Sequence, residues 1–454
     1  MKETRSYQIR DARIVNEGEI FEGGLLIRNG IIERVYRDED EYENEALPDD
    51  LVVIHARGKH LLPGVIDDQV HFREPGLTHK ADIFTESRAA IAGGVTSFMD
   101  MPNTQPETLT QELLEKKYAL AADHSLANYS FYMGASNHNL EEILKTDPSS
   151  VCGVKVFMGA STGDMLVDDP RALSGIFERS PLLVAVHCED EQIVQRNLRE
   201  YRNEYGDDIP VEFHPEIRSE EACYSSSSHA VQLANRFDTR LHILHLSTAR
   251  ELGLFDNQKP LAQKRITSEV CVHHLWFSNE DYDALGNRIK WNPAVKTGHD
   301  REALLEALKM DVLDVIATDH APHTLEEKYR EYLYAPSGGP LVQHSLTVMV
   351  EFYKQGKIPL WQVVEKMCHA PAVCFNIDKR GFIREGYWAD LVLIDLNHPW
   401  IVDKSNILYK CQWSPFEGHA FTSEVTHTFV NGSLVYHEGE FDETVKGQRL
   451  LFNR

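Results

Sequence analysis

Apolar and polar residues alternate near both ends of the chain, whereas the middle carries short unbroken apolar blocks separated by amphipathic stretches. Alternation with a period of two marks half-buried strands, and solid apolar blocks of four to eight residues mark strands buried on both faces. The first pattern predicts strands at 7–14, 24–27 and 31–36, with Asn29-Gly30 as a hairpin turn. It returns at 390–395 and 426–436, with a second Asn-Gly turn at Asn431-Gly432. The acidic run at 38–45 reads as a solvated loop.

The second pattern predicts eight strands, at 64–70, 97–101, 128–133, 153–157, 182–187, 240–246, 265–271 and 312–318. Helices are predicted between several of them, at 83–92, 109–121, 230–236 and 301–308. The first of these stops at Gly93-Gly94, as a helix C-terminus should. Eight buried strands with helical crossovers predict a parallel (β/α)8 TIM-like barrel at 59–374. The terminal segments, 1–58 and 375–454, are expected to join as one small β-sandwich. A length of 454 residues suits a barrel with such an addition.

Charge narrows the partners. With 46 basic and 71 acidic side chains the net charge is -25, which disfavours nucleic acid and anionic membrane surfaces. A small-molecule substrate is the expected partner, anionic ones included, because a few local cations override the global field. The residues carry no argument for or against a homo-oligomer. No apolar run approaches the ~20 residues of a spanning helix, and the first residues lack the apolar core of a signal peptide. The seven cysteines are odd in number and show no CxxC spacing, so they read as reduced thiols of a cytoplasmic protein.

In a barrel, chemistry sits where the strands end. The predicted strand ends carry His71, Lys155, His187, His245 and Asp319. Imidazole and carboxylate are zinc ligands. Lys155 lies between valines, where an unpaired ammonium is costly and calls for a partner or a chemical change. Addition of CO2 would make it a carbamate able to bridge two metals. His242 and His245 stand three apart, so strict alternation sends them to opposite faces of their strand. His245 is the ligand candidate, and His242 is expected to pack against the helix layer. Of the adjacent His273 and His274, at most one can face inward.

The strings PGVIDDQVHFREPG, MPNT, GVKVFMG, AVHCED, HILHLST, SEVCVHHL, NPAVK and ATDHAPH, in that order, resemble the dihydroorotases of the amidohydrolase superfamily. The later KRGFIREGYWADLVLIDL resembles the superfamily's returning sandwich strand. The resemblance spans about residues 55–400. It implies a zinc centre of one or two ions, with His71 and Asp319 on one side, His187 and His245 on the other, and carboxylated Lys155 with a hydroxide between them. It also implies that Asp319 carries the proton from attacking water to the departing amide nitrogen. The implied reaction is the reversible cyclisation of N-carbamoyl-L-aspartate to dihydroorotate in pyrimidine biosynthesis. Arg73, Asn103, Asn292 and His323 fall at the family's substrate positions. A guanidinium fork at Arg73 suits a ring carboxylate, which dihydroorotate has and hydantoin lacks.

One position departs from the family. Its His-x-His at the first strand end is here Gln69-Val70-His71. An amide oxygen is at most a weak zinc ligand. That side of the centre is weakened, differently occupied or empty, or is approached by Asp67 or Asp68. Two alternatives follow: an allantoinase or hydantoinase type of cyclic amidohydrolase, and a catalytically impaired scaffold. The segment 323–340 reads as a lid or a mobile excursion.

Overall fold

The structure is a computed structural model that describes residues 5–37, 51–159 and 163–454. The acidic run at 38–45 lies outside them. All eight buried apolar blocks form strands: Val65–Val70, Val95–Asp100, Asn128–Phe131, Val154–Phe157, Val184–His187, Leu241–Ile243, Ile266–Cys271 and Val315–Ala317. Successive strands pair in parallel, except that Asn128–Phe131 reaches Val154–Phe157 through the short continuation Met133–Gly134. A parallel bridge from Val70 to His320 joins the first strand to the end of the eighth and closes the ring. The fold is a (β/α)8 barrel.

The helices between the strands have sequence-encoded ends. Ile83–Ala92 starts on Asp82, whose side chain caps the Thr85 amide, and stops at Gly93-Gly94, where Gly94 turns left-handed (φ 83°). The other three predicted helices are longer than expected: Gln111–His124, Glu220–Phe237 and Gly298–Lys309. Glu220–Phe237 and Gly298–Lys309 open on polar residues behind the caps Ser219 and Thr297, so hydrophobic periodicity alone misses their first turns.

The two ends of the chain meet in one nine-stranded sheet. Its seam is the antiparallel pairing of Leu391–Asp395 with His60–Pro63. Asn29-Gly30 and Asn431-Gly432 both have positive φ at each turn residue (54° and 85°; 49° and 75°), as a tight hairpin requires. Ile9, Leu25, Leu61, Leu391 and Phe429 form this sheet's own apolar cluster. Thus the small β-sandwich predicted from the two termini is built as a continuous sheet.

The barrel floor is apolar, packed with Ile66, Met99, Met101, Tyr132, Leu244 and Phe375. Above it the interior turns polar. Lys117, on Gln111–His124, is 1% exposed and reaches Asp100 (2.5 Å) and the Met101 carbonyl (2.7 Å). Asp100 in turn accepts the Phe72 amide at 2.7 Å. One buried ion pair therefore ties the first two strand ends to a helix. Lys117→Met leaves the Asp100 carboxylate buried and unpaired, at an expected cost of about 3–5 kcal/mol. Chemical denaturation should show the loss, and an unchanged midpoint would show that the pair contributes nothing net.

Candidate active site

His71 follows the first strand directly, Lys155 is inside the fourth, and His187 ends the fifth. His245 and Asp319 each lie two residues beyond their strands, in left-handed backbone (φ 40° and 47°). Arg73 is left-handed as well (φ 67°). Such conformations cost of order 1–3 kcal/mol each in non-glycine residues and gather where function imposes them. Here they turn three chemistry-bearing side chains toward the mouth.

His187 and His245 present ring nitrogens to each other, Nδ1 to Nε2, at 2.9 Å. The other nitrogen of His187 lies 2.9 Å from Glu189, which is ion-paired to Arg218. Burial alone would raise the Glu189 pKa, but the Arg218 charge and the His187 hydrogen bond hold it down at about 2. An ionised Glu189 keeps the proton of His187 on Nε2, so Nδ1 offers its lone pair toward His245. Burial also drives the pKa of His245 well below its usual range, helped by neighbouring His187 and Lys155. Two neutral imidazoles converging this way suit a divalent cation.

On the opposite wall, His71 Nδ1 lies 2.8 Å from Asn103 Oδ1, and Nε2 lies 3.1 Å from Asp319 Oδ1. Gln69 donates its amide to the same Asp319 oxygen at 3.2 Å. The glutamine thus joins the site as a hydrogen-bond donor to the carboxylate. Asn103 orients the His71 ring.

Lys155 is 1% exposed, and its ammonium lies 4.6 Å from the Phe157 ring centre. Among the described residues no carboxylate forms a salt bridge with it. Burial lowers its pKa to about 8 against the opposing pull of Asp319 and Glu269. At neutral pH a useful fraction is therefore the nucleophilic amine.

Arg73 and Lys80 bring positive charge to one side of the mouth. Arg73 is buried, donating to the Pro322 carbonyl (3.0 Å) and approaching His323 Nε2 (3.0 Å). Lys80 approaches the other His323 nitrogen at 3.0 Å and pairs with Glu327. Burial and the adjoining Arg73 push the His323 pKa far down, leaving a neutral ring. The adjacent Glu74 does not pair with Arg73; it accepts the Ile83 amide at 3.0 Å. Arg73 therefore has its charge near the mouth and, among the described residues, only neutral hydrogen-bond partners. Asn292 leaves its Oδ1 buried with no partner. The segment at 323–340 is pinned through Lys328, whose ammonium donates to the carbonyls of Pro336 (2.9 Å) and Gly338 (2.8 Å).

One expectation is corrected. His242 does not pack against the helix layer. It lies inside the barrel beside Asp68 and Glu269, 3.2 and 3.6 Å away. Alternation fails because the strand ends at Ile243 and the left-handed His245 swings its ring inward. His273 stacks on Trp291 and His274 reaches the Pro293 carbonyl. All seven cysteines are free, six of them buried.

Basic and acidic groups gathered at the C-terminal mouth of a parallel barrel define a barrel enzyme. The chain belongs to the Amidohydrolase family, which matches residues 60–435. It is 31% identical to a dihydroorotase of Methanosarcina acetivorans over 420 residues, covering 90% of this chain and 88% of that one. It is 32% identical to the dihydroorotase of Halobacterium salinarum over 393 residues, covering 86% and 90%. Among solved structures, the L-hydantoinase (dihydropyrimidinase) of Arthrobacter aurescens superposes with a TM-score of 0.89 at 25% identity, covering 96% of this chain and 97% of that one. The dihydropyrimidinase of Brevibacillus agri shares the fold, with a TM-score of 0.86 at 24% identity over 99% and 100% of the two chains. Among the described residues no helix is long and apolar enough to cross a membrane.

Proposed function

We propose that the protein is a dihydroorotase, interconverting N-carbamoyl-L-aspartate and dihydroorotate in the cytoplasm. The carrying observation is Arg73, a buried guanidinium at the mouth that forms no salt bridge with a carboxylate among the described residues. A ring carboxylate is the partner it lacks, and relatives named dihydroorotase support the choice. The Asn292 Oδ1 and the amide of Asn103 complete the substrate contacts.

His187, His245, His71 and Asp319 would hold zinc, together with Lys155 if it is carboxylated. Gln69 leaves the His71 side one imidazole short, so the His187 side binds more tightly. The bound cation supplies Lewis acidity, polarising the scissile carbonyl and acidifying water. In ring opening, Asp319 accepts a proton as a water oxygen adds to the amide carbon. The carbon–nitrogen bond then breaks, and Asp319 returns the proton to the departing nitrogen. His71 and Gln69 aim the Asp319 oxygen. Glu189 and Arg218 fix the His187 ring.

The direct test is hydrolysis of dihydroorotate by protein supplied with zinc and bicarbonate, with allantoin and hydantoin alongside. Turnover of dihydroorotate is the expected result; turnover of hydantoin alone would move the chain to the hydantoinase type. No turnover of any of the three would indicate a scaffold. Arg73→Met should raise KM for dihydroorotate about 10- to 100-fold, as loss of a charge-assisted contact does. An equal KM in variant and parent would remove the carboxylate argument.

A further inference from the structure

Below the mouth, on the barrel interior, Asp68, His242 and Glu269 converge with one ligand atom each within 4.8 Å of the others. All three are fully buried. Among the described residues, both Asp68 carboxylate oxygens, His242 Nε2 and Glu269 Oε2 lack a hydrogen-bond partner outside the triad. The contacts are 3.2 Å from His242 Nε2 to Asp68 Oδ2 and 3.6 Å to Glu269 Oε2. In a tetrahedral zinc shell with bonds of 2.0–2.2 Å, neighbouring donor atoms stand about 3.4 Å apart. We propose that this triad is an additional site for a divalent cation of the zinc type, distinct from the centre at the mouth.

The surroundings are those of a prepared ligand set. The Thr267 hydroxyl donates to the Leu241 carbonyl and so accepts from His242 Nδ1, 2.8 Å away. Without an ion, and against the opposing effect of burial, the two carboxylates raise the His242 pKa to about 9. With an ion bound and the ring proton kept on Nδ1, His242 would turn the lone pair of Nε2 toward them. Lone pair facing carboxylate is repulsive unless a cation lies between them. Glu269 uses its other oxygen on the His245 amide (2.9 Å) and Cys271 (3.4 Å), which aims Oε2 inward. The neighbouring Asp67 carboxylate already accepts from the Thr318 hydroxyl and the Gln69 backbone amide. Two carboxylates and one neutral imidazole balance a doubly charged ion, and imidazole favours zinc over magnesium or calcium. The site hangs from Glu269, so it also braces the backbone of His245.

The rival is an ion triad in which a second proton makes His242 an imidazolium. The two readings separate by anomalous diffraction at the zinc edge, on crystals of the full chain grown with zinc. A peak between Asp68, His242 and Glu269 is expected, whether or not peaks stand at the mouth. Asp68→Asn should abolish it and lower zinc by about one ion per chain, with any mouth peaks kept. Peaks at the mouth alone would overturn this site while sparing the outer centre. No peak anywhere would overturn both. If Asp68→Asn fails to fold, the peak in the unaltered protein decides.

Discussion

Lys155→Met is expected to lower kcat/KM more than about 100-fold, beyond what loss of an outer-shell metal partner costs, while leaving the protein at least as stable. The two effects have opposite signs for one physical reason. The ammonium is 1% exposed and has no salt bridge among the described residues. A charge held there is costly, and an apolar side chain of similar length removes the cost. Function explains its retention. Burial brings the pKa to about 8, so the free amine can attack CO2, forming the nitrogen–carbon bond and releasing a proton. The resulting anion would face His187 and His245 on one side and Asp319 on the other. Zinc content should therefore fall with activity in the variant, and thermal midpoint should hold or rise. Stripping CO2 from metal-free parent protein should likewise prevent its reactivation by zinc. Full activity in Lys155→Met would end the bridging role. A large fall in stability would mean that the lysine is structural.

The barrel was legible because its signal is local. Short apolar blocks such as Val184–His187 have no other use in a chain of this charge, and the glycines after Ile83–Ala92 mark a helix end. The candidate ligand positions can be named from the sequence because strand ends are predictable once the strands are. Two kinds of residue were not. His242 was misplaced because alternation assumes an unbroken strand, and a left-handed residue at 245 resets it. Lys117 was overlooked because it follows Glu115 and Lys116 and looks like a solvated helix face, whereas it is the one residue of the three buried against Asp100. Glu189 left a readable trace, standing two residues past His187. Arg218 left none, since the short helix His214–Ile217 before it carries no periodic pattern. The Gln69 departure was visible, but its consequence was not. Only the fold shows it donating to Asp319.

That contact bears on the second large effect. Asp319→Asn should reduce kcat by about 10²- to 10⁴-fold, the range for loss of a positioned acid–base group, with a much smaller change in KM. Asp319 Oδ1 receives both His71 Nε2 (3.1 Å) and the Gln69 amide (3.2 Å). An asparagine can keep its oxygen there, so the geometry around His71 survives. It cannot take up a proton from water, so the shuttle does not. Arg73 and His323, the proposed contacts of the substrate carboxylate, are untouched, which should keep KM near that of the parent. A KM rise matching the kcat loss would instead make Asp319 a binding residue. Zinc content separates the remaining possibility. If it is retained while kcat collapses, proton transfer is the lost function. If zinc departs in proportion to activity, Asp319 serves mainly to hold the ion, and the proton must travel through another group at the mouth.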